Sequence, residues 1–267
     1  MGVESWPGLT IDRYPAGTEE EQAICVYHKL GNPDEAGWFL AISVEEGISE
    51  EDFRDFMTTI FKKRFLDTLL DACFSLLCLR GPENHYSIFQ EVFSDLTDKR
   101  FVGWGKYDLY NPPTQLPTRN LPLPPGYSFG EIAETHVGFL ARQWLKDVGA
   151  TPSSLAHEEK YKGLIRDNIT QRPSVAIFSE QEKGPVAWMT TYQDGYGGQL
   201  HVVEAHRGGG LARLCLRELF NKTRSLTGTG YPVSIGQRNE ASAALFTSEG
   251  WTKADITRKH YLKLSDG

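Results

Sequence analysis

The sequence predicts an α/β protein with a mixed (α+β) sheet, organised as two successive domains. Short runs of β-branched and aromatic residues, which are typical of strands, alternate with segments whose apolar residues recur at i and i+4, as in helices. The chain has 267 residues, 40% of them hydrophobic, so each half can bury a core of its own. Six of the 14 prolines fall within residues 112–125, and this density excludes a helix and predicts an extended linker.

Residues 1–111 are predicted to form the first α/β domain, which has no recognisable coenzyme site. Ser49 stands before three acidic residues, an arrangement in which the hydroxyl caps a helix and the acids favour its positive end. Apolar residues at helical spacing continue this helix. The other predicted elements of this half are strands at 23–27, 37–42, 74–79 and 102–110 and a helix at 86–96.

The second domain, residues 126–267, is predicted from a longer series of strands and helices. Its clearest helix, 211–226, has two apolar i,i+4 rows, and Gly228 and Gly230 mark its end. The predicted order is strand 127–132, helices 135–146 and 157–171, strands 175–179, 186–193 and 198–204, helix 211–226, strand 233–236, helix 240–249 and strand 258–264.

A glycine-rich turn joins strand 198–204 to helix 211–226. At such a turn the exposed backbone N–H groups and the positive end of the helix dipole form a site for phosphate oxygens. Glycine suits this site because a Cβ would hold the phosphates away from the backbone. Neither common nucleotide motif fits: no Lys follows Gly210 as a P-loop requires, and Arg213 stands where the last glycine of a dinucleotide fingerprint belongs.

The pattern Arg207-x-x-Gly210-x-Ala212 resembles the Gln/Arg-x-x-Gly-x-Gly/Ala signature of the GNAT superfamily of N-acyltransferases. Downstream, a strand, Asn239, a short helix and Gly250-Trp251 follow in the order of the second half of the GNAT pattern. The resemblance implies a GNAT fold for the second domain. The first domain is then either a GNAT-like half that lost its coenzyme site or an unrelated α/β domain.

The same resemblance implies acyl-CoA or coenzyme A as co-substrate. The signature would hold the coenzyme pyrophosphate, the strand before it would pair its backbone with the pantetheine arm, and the Asn would contact the coenzyme. The coenzyme-binding residues implied in this way are Val202, Val203, Arg207, Gly208, Gly209, Gly210, Leu211, Ala212, Asn239 and Phe246.

A closer resemblance is carried by residues upstream of the signature. Segments 123–127 (LPPGY), 173–177 (PSVAI) and 184–188 (GPVAW), followed by the signature itself, are similar to the glycine N-acyltransferase family. The likeness covers residues 123 to about 252 well and the first half only in outline. It implies transfer of an acyl group from acyl-CoA to the amino group of glycine or another small amino acid or amine.

Direct N-acylation requires a neutral amine, and at pH 7 only about one in a thousand alkyl amines of the lysine type is neutral. A base is therefore useful. In the resembled family a carboxylate near the start of the signature strand takes this role, and the nearest acid here is Asp194. His201 is the second candidate, since imidazole titrates near neutrality. The alternatives are a turn residue for Asp194 and a half-buried strand position for His201.

Many GNAT enzymes also place a tyrosine in the helix after the Asn to protonate the leaving thiolate. The aligned residue is Phe246, which cannot donate a proton. The sequence therefore keeps two other functions open. One is a catalytically silent acyl-CoA-binding or regulatory module, and the other is an acetyltransferase for protein or polyamine amines. The enzyme hypothesis uses a ternary complex without a covalent acyl-enzyme.

Composition argues against several other classes. The net charge of −7, without clustered Lys and Arg, disfavours a nucleic-acid binder. No apolar run reaches the length of a membrane span, the seven His show no metal-ligand spacing, and the four scattered Cys indicate a reducing compartment. We expect a cytoplasmic location; the family resemblance also allows a mitochondrial one, although no transit peptide is evident. The oligomeric state is not predicted.

Overall fold

The computed structural model describes residues 10–14, 23–30, 37–44, 48–60, 62, 73–81, 85–97, 99–147, 155–192 and 195–266. Strands and helices alternate through these ranges, as the sequence predicts. In chain order they are β1 (Thr10–Tyr14), β2 (Ala23–Leu30), β3 (Gly37–Val44), α1 (Glu50–Ile60), β4 (Cys73–Gly81), α2 (His85–Thr97), β5 (Lys99–Asn111), β6 (Tyr127–Gly130), α3 (Val137–Asp147), α4 (Leu155–Gln171), β7 (Ser174–Ser179), β8 (Pro185–Thr191), β9 (Gly197–Val202), α5 (Leu211–Thr227), β10 (Val233–Gly236), α6 (Glu240–Ser248) and β11 (Thr252–Asp266).

The chain forms two compact units that interleave in sequence. The first unit contains residues 1–109, 234–240 and 253–267, and the second contains residues 110–233 and 241–252. Residues 112–125 contain no helix or strand and belong to the second unit. The predicted domain bounds, 1–111, 112–125 and 126–267, stay a prediction. Most of the final strand groups with the first unit.

In the first unit the strands lie in the order β1-β2-β3-β4-β11-β5. β1, β2 and β3 are antiparallel, β3 and β4 are parallel, and β11 is antiparallel to β4. Helices α1 and α2 contribute a buried aromatic cluster, in which the Phe53 ring stacks on His85 with ring centroids 4.6 Å apart. The predicted cap of α1 is confirmed, since the Asp52 N–H donates to Ser49 Oγ at 3.0 Å.

In the second unit β6, β7, β8 and β9 are antiparallel neighbours, and Val233, the first residue of β10, pairs in parallel with Gly197 of β9. Trp188 of β8 packs against residues of α3 and α4, whereas the next residue, Met189, contacts the hydroxyl of Tyr231, which donates to Leu216 O of α5. Because successive strand residues point to opposite faces, α5 covers the face of the sheet opposite to α3 and α4.

The predicted elements of both halves are confirmed, with a few differences at their ends and one omission. β1 was not predicted, and β6 ends two residues earlier than expected. β9 ends at Val202 rather than at Glu204, because residues 204–206 form a 3₁₀ turn in which the His206 N–H donates to Val203 O at 2.8 Å. Among the described residues, no helix combines the length and hydropathy that crossing a membrane requires.

Candidate functional site

The glycine-rich turn that the sequence predicts lies between β9 and α5. Gly208 and Gly210 adopt φ of 83° and 78°, in the left-handed region that favours glycine. A Cβ at either position would meet no atom within 4 Å, so the backbone conformation rather than crowding requires glycine. Helix α5 starts directly afterwards at Leu211, whose buried side chain fixes the first turn in the core.

The backbone amides of this turn have no acceptors in the part of the chain that the structure describes. From Gly208 to Arg213 none of the N–H groups donates to protein, and the first amide of the helix with an acceptor is Leu214, bonded to Gly210 O at 3.1 Å. Gly210 offers no capping side chain, and the first helical turn holds no acid. These donors, at the positive end of a 17-residue helix, make residues 208–213 a site for an anion. We refer to them as the amide site.

Side-chain contacts fix the two residues that precede the amide site, His206 and Arg207. The Arg207 Nε donates to Val202 O at 3.0 Å and so closes the bend at the end of β9. The hydroxyl of Tyr127 lies 2.9 Å from His206 Nδ1, and His206 Nε2 lies 3.8 Å from Glu182 Oε1. The residue before Arg207 is therefore anchored to β6 and to the β7–β8 hairpin.

Strand β9 carries a bulge that the sequence did not predict. Trp188 pairs with His201 and Thr190 with Gly198, so one extra β9 residue lies opposite β8. Gln199, with φ of 52°, is the non-glycine residue with positive φ in the described ranges. Its side chain is 3% exposed, and its Oε1 accepts from Thr190 Oγ1 at 2.8 Å and from Asn168 Nδ2 at 3.5 Å. A bulge of this kind redirects backbone groups and is frequent beside functional sites.

The pairing of β9 with β10 ends near the start of β9. In the described chain β9 and β10 share one register pair, Val233 with Gly197, at the start of β9. Val203 N–H donates to Val186 O at 2.9 Å, towards β8, and the alternation of a strand therefore puts the Val202 N–H on the opposite edge. Of the two residues predicted to pair with pantetheine, Val202 thus faces the edge that could do so. The contact itself stays a prediction for both.

The structure describes one of the two candidate bases, His201, but not the other, Asp194. His201 is buried and stacks on Trp188, with ring centroids 4.4 Å apart and planes 25° apart. Asp194 lies outside the described residues. The structure therefore brings His201 onto the face covered by α3 and α4 and leaves the position of the Asp194 carboxylate open.

The remaining predicted coenzyme contacts differ in exposure. Phe246 is buried, with its ring centroid 5.4 Å from that of Trp251, whereas Ala212 is half-buried beside the amide site. Asn239 is exposed and immediately precedes α6, with its N–H donating to Gly236 O at 2.7 Å. Their roles toward the coenzyme stay predictions.

Cys215 lies on α5 a few residues beyond the amide site and is fully buried. Burial raises the pKa of its thiol well above the ordinary value, and the nearby Glu218 adds to this shift. A thiol held in its neutral form is a poor nucleophile. Over the residues that can be described, no group of three or more His, Cys, Asp or Glu side chains could hold a metal ion.

A buried ion-pair cluster that the sequence does not predict lies beside the amide site. Glu249 is 0% exposed, and its carboxylate lies 2.8 Å from Arg213 Nε, 2.6 Å from Arg217 Nη1 and 3.4 Å from Arg119 Nη1. We call these four residues the Glu249 cluster. The sequence shows only a Glu at the end of a short helix, and none of its partners is within helical spacing.

Comparisons with known proteins show which folds this chain resembles. The FR47-like protein family model matches residues 174–261, from β7 into β11. A protein from Novosphingobium aromaticivorans assigned to the GNAT family of acetyltransferases superposes with a TM-score of 0.50 at 13% identity, over 85% of this chain and 84% of that one. The fold is that of the GNAT acetyltransferases.

Because the sequence identities to these structures are low, the likeness to GNAT proteins concerns the fold alone. A Drosophila protein aligns with a TM-score of 0.61 at 12% identity, over 95% of this chain and 79% of its own. This likeness extends through both units, and together with the GNAT-family neighbour it confirms the predicted α/β fold class. No curated protein sequence is significantly similar to the chain.

Proposed function

We propose that this chain is an acyl-CoA-dependent N-acyltransferase. The observation that carries the proposal is the amide site: six consecutive N–H groups with no acceptor among the described residues, at the N-terminus of α5, in a GNAT fold. The coenzyme carries a pyrophosphate, whose charge and number of acceptor oxygens suit a row of amides and a helix dipole. The bulged edge of β9 leads directly into this site and offers the path for the pantetheine arm.

The proposed reaction is direct attack in a ternary complex. The amine nitrogen attacks the thioester carbonyl carbon, the C–N bond forms, the C–S bond breaks and coenzyme A leaves as a thiolate that takes up a proton. The amine loses a proton to a base, for which Asp194 and His201 are the candidates. The raised pKa of the buried Cys215 thiol supports a route without an acyl-cysteine.

We propose glycine or another small amino acid as the acceptor. The support is the similarity of segments 123–127, 173–177 and 184–188 to the glycine N-acyltransferase family. The acyl group is left open within this proposal, so the test must vary donor and acceptor together.

The test is a thiol-release assay that crosses a panel of acyl-CoAs with glycine, other amino acids, polyamines and a lysine peptide. The expected result is release that requires both substrates, with glycine among the best acceptors. Release with polyamine or peptide only would replace the acceptor and keep the reaction class. Absence of release with every acceptor would overturn the transferase proposal.

The base is tested by pH profiles of the active pair of substrates. The rate should rise with pH, because the neutral fraction of the amine rises. If Asp194 is the base, Asp194→Asn lowers turnover and steepens the profile, since the amine must then lose its proton to bulk water. If His201→Gln changes the profile instead, His201 is the base. If neither variant changes it, positioning alone supports the reaction.

A second candidate function is an acyl-CoA-binding module without catalysis. It is favoured by Phe246, a buried ring without a hydroxyl at the position aligned with the proton donor of many GNAT enzymes. Tight binding of acyl-CoA by calorimetry, together with no thiol release across the panel, is the result that selects this module.

A further inference from the structure

The Glu249 cluster joins three segments of the second unit around one buried carboxylate. Arg213 and Arg217 come from the first half of α5, Glu249 follows α6, and Arg119 comes from the Pro-rich segment. Backbone contacts complete the cluster: Arg217 Nη2 donates to Pro117 O at 2.9 Å and Arg119 Nη2 to Ser248 O at 3.2 Å. One negative charge thus faces three positive ones, and the cluster keeps a surplus of positive charge.

This surplus lies at the end of α5 where cations are disfavoured. Arg213 is the third residue of the helix, the helix dipole is positive there, and the first turn contains no acid to balance it. The amides of the amide site add further unpaired donors at the same place. An anion bound at the amide site would balance this positive charge.

Arg213 links the cluster to the amide site. Its own N–H is the last of the six amides for which the described residues offer no acceptor, so its guanidinium lies within one side-chain length of the site. Side chains of a helix lean toward the N-terminus, which here is the direction of the turn. Glu249 and Ser248 Oγ, at 2.8 and 3.2 Å, fix one side of the guanidinium, and the Arg213 side chain remains 31% exposed.

We propose that Arg213 binds a second phosphate of the coenzyme, the monoester on its ribose, and that Glu249 is the positioning residue that holds Arg213 for this contact. This inference rests on the proposed function, because it takes the pyrophosphate to occupy the amide site. The ribose phosphate is separated from the pyrophosphate by one sugar, and a guanidinium is the side-chain group best suited to a phosphate monoester. Arg119, with 44% of its side chain exposed, adds positive charge to the same patch.

The experiment compares coenzyme A with dephospho-coenzyme A by calorimetry on the full chain. The two ligands share the pyrophosphate and the pantetheine arm and differ only in the ribose phosphate. We expect the wild type to bind coenzyme A at least about 10-fold more tightly than dephospho-coenzyme A, because the latter lacks one charge-assisted contact. Arg213→Gln should remove most of this preference while leaving the affinity for dephospho-coenzyme A nearly unchanged.

Arg217→Gln is the matched control, since Arg217 shares the Glu249 carboxylate but lies one helical turn farther from the amide site. It should lower stability and keep the preference for coenzyme A. Arg224→Gln, at the other end of α5, is a second control that leaves the cluster intact. Glu249→Gln should reduce the preference in chains that remain folded by circular dichroism, because Arg213 loses its anchor.

The outcomes separate the two proposals. Equal binding of both ligands by the wild type overturns the ribose-phosphate contact and leaves the proposed function standing. Equal loss of preference in Arg213→Gln and Arg217→Gln also overturns it, since the cluster would then act through the fold alone. If the wild type binds neither ligand, the proposed function fails and this inference fails with it.

Discussion

Helix α5 has a glycine in the left-handed region at each end, Gly210 at φ 78° and Gly228 at φ 81°, and at both a Cβ would find open space. The backbone around the two glycines differs. At the C-terminal end the Gly228 N–H donates to Arg224 O at 2.9 Å, and Thr227 Oγ1 lies 3.0 Å from the carbonyl oxygens of Thr223 and Thr229. At the N-terminal end six amides have no protein acceptor in the described chain.

This difference distinguishes a helix end whose backbone groups are bonded from one whose N–H groups are available to a ligand. Glycine permits the backbone conformation in both places, so its presence alone does not distinguish them. The first N–H groups of a helix have no intrahelical acceptors, and at α5 neither a capping side chain nor an acid in the first turn satisfies them. At the start of α5 the donors lie at the positive end of the helix dipole, where an anion is favoured.

The largest expected effect on coenzyme A affinity comes from placing a glutamate at each terminal glycine of α5 in turn. Gly210→Glu puts a carboxylate into the amide site and should weaken coenzyme A binding by about 100-fold or more, as two charge-assisted hydrogen bonds are lost. Gly228→Glu should leave affinity unchanged. Both variants should lose about 1–3 kcal/mol of unfolding free energy, because each holds a non-glycine residue at positive φ. A folded Gly210→Glu chain with wild-type affinity by calorimetry would contradict the amide site.

The next effect is stabilisation by the ligand. A ligand that binds only the folded state at 100 times its Kd adds about 2.7 kcal/mol of stability. Coenzyme A should do so for the wild type and Gly228→Glu but not for Gly210→Glu, in thermal or denaturant unfolding. NAD and ATP serve as comparison ligands. If they stabilise the chain and coenzyme A does not, the amide site holds a different nucleotide.

The smallest effect concerns the C-terminal end alone. Thr227→Ala removes the hydroxyl that contacts Thr223 O and Thr229 O and should cost about 1 kcal/mol of unfolding free energy. Coenzyme A affinity should not change, as measured by the same calorimetry. A parallel loss of affinity would mean that the two ends of α5 are coupled rather than separate in function.

Local chemistry explains what the sequence could predict. The apolar rows of α5, its terminal glycines and the order of strands around it are all short-range features, and the structure reproduces them. β1 was missed because Asp12 and Arg13 interrupt its apolar pattern; such charges are frequent in edge strands, and β1 forms one edge of its sheet.

The features that were not predicted depend on distant partners. Gln199 adopts its unusual φ in contact with Thr190 and Asn168, and nothing in its neighbours along the chain marks a bulge. The Glu249 cluster joins residues from three segments, and charge alone does not show which Arg will pair with which acid. For these positions the partner is set by tertiary packing, which sequence periodicity does not report.

The pairing of β11 with β4 has a consequence for how the chain folds during synthesis. Thr257 to Tyr261 of β11 lie opposite Gly81 to Leu77 of β4, and both strands belong to the first unit. The ribosome therefore delivers β1 to β4 long before the neighbour that covers the free side of β4 exists. Until β11 emerges, that side of β4 is an open edge able to pair with other chains. The first unit is thus begun first and completed last, and β4 lacks its β11 neighbour while the second unit is made.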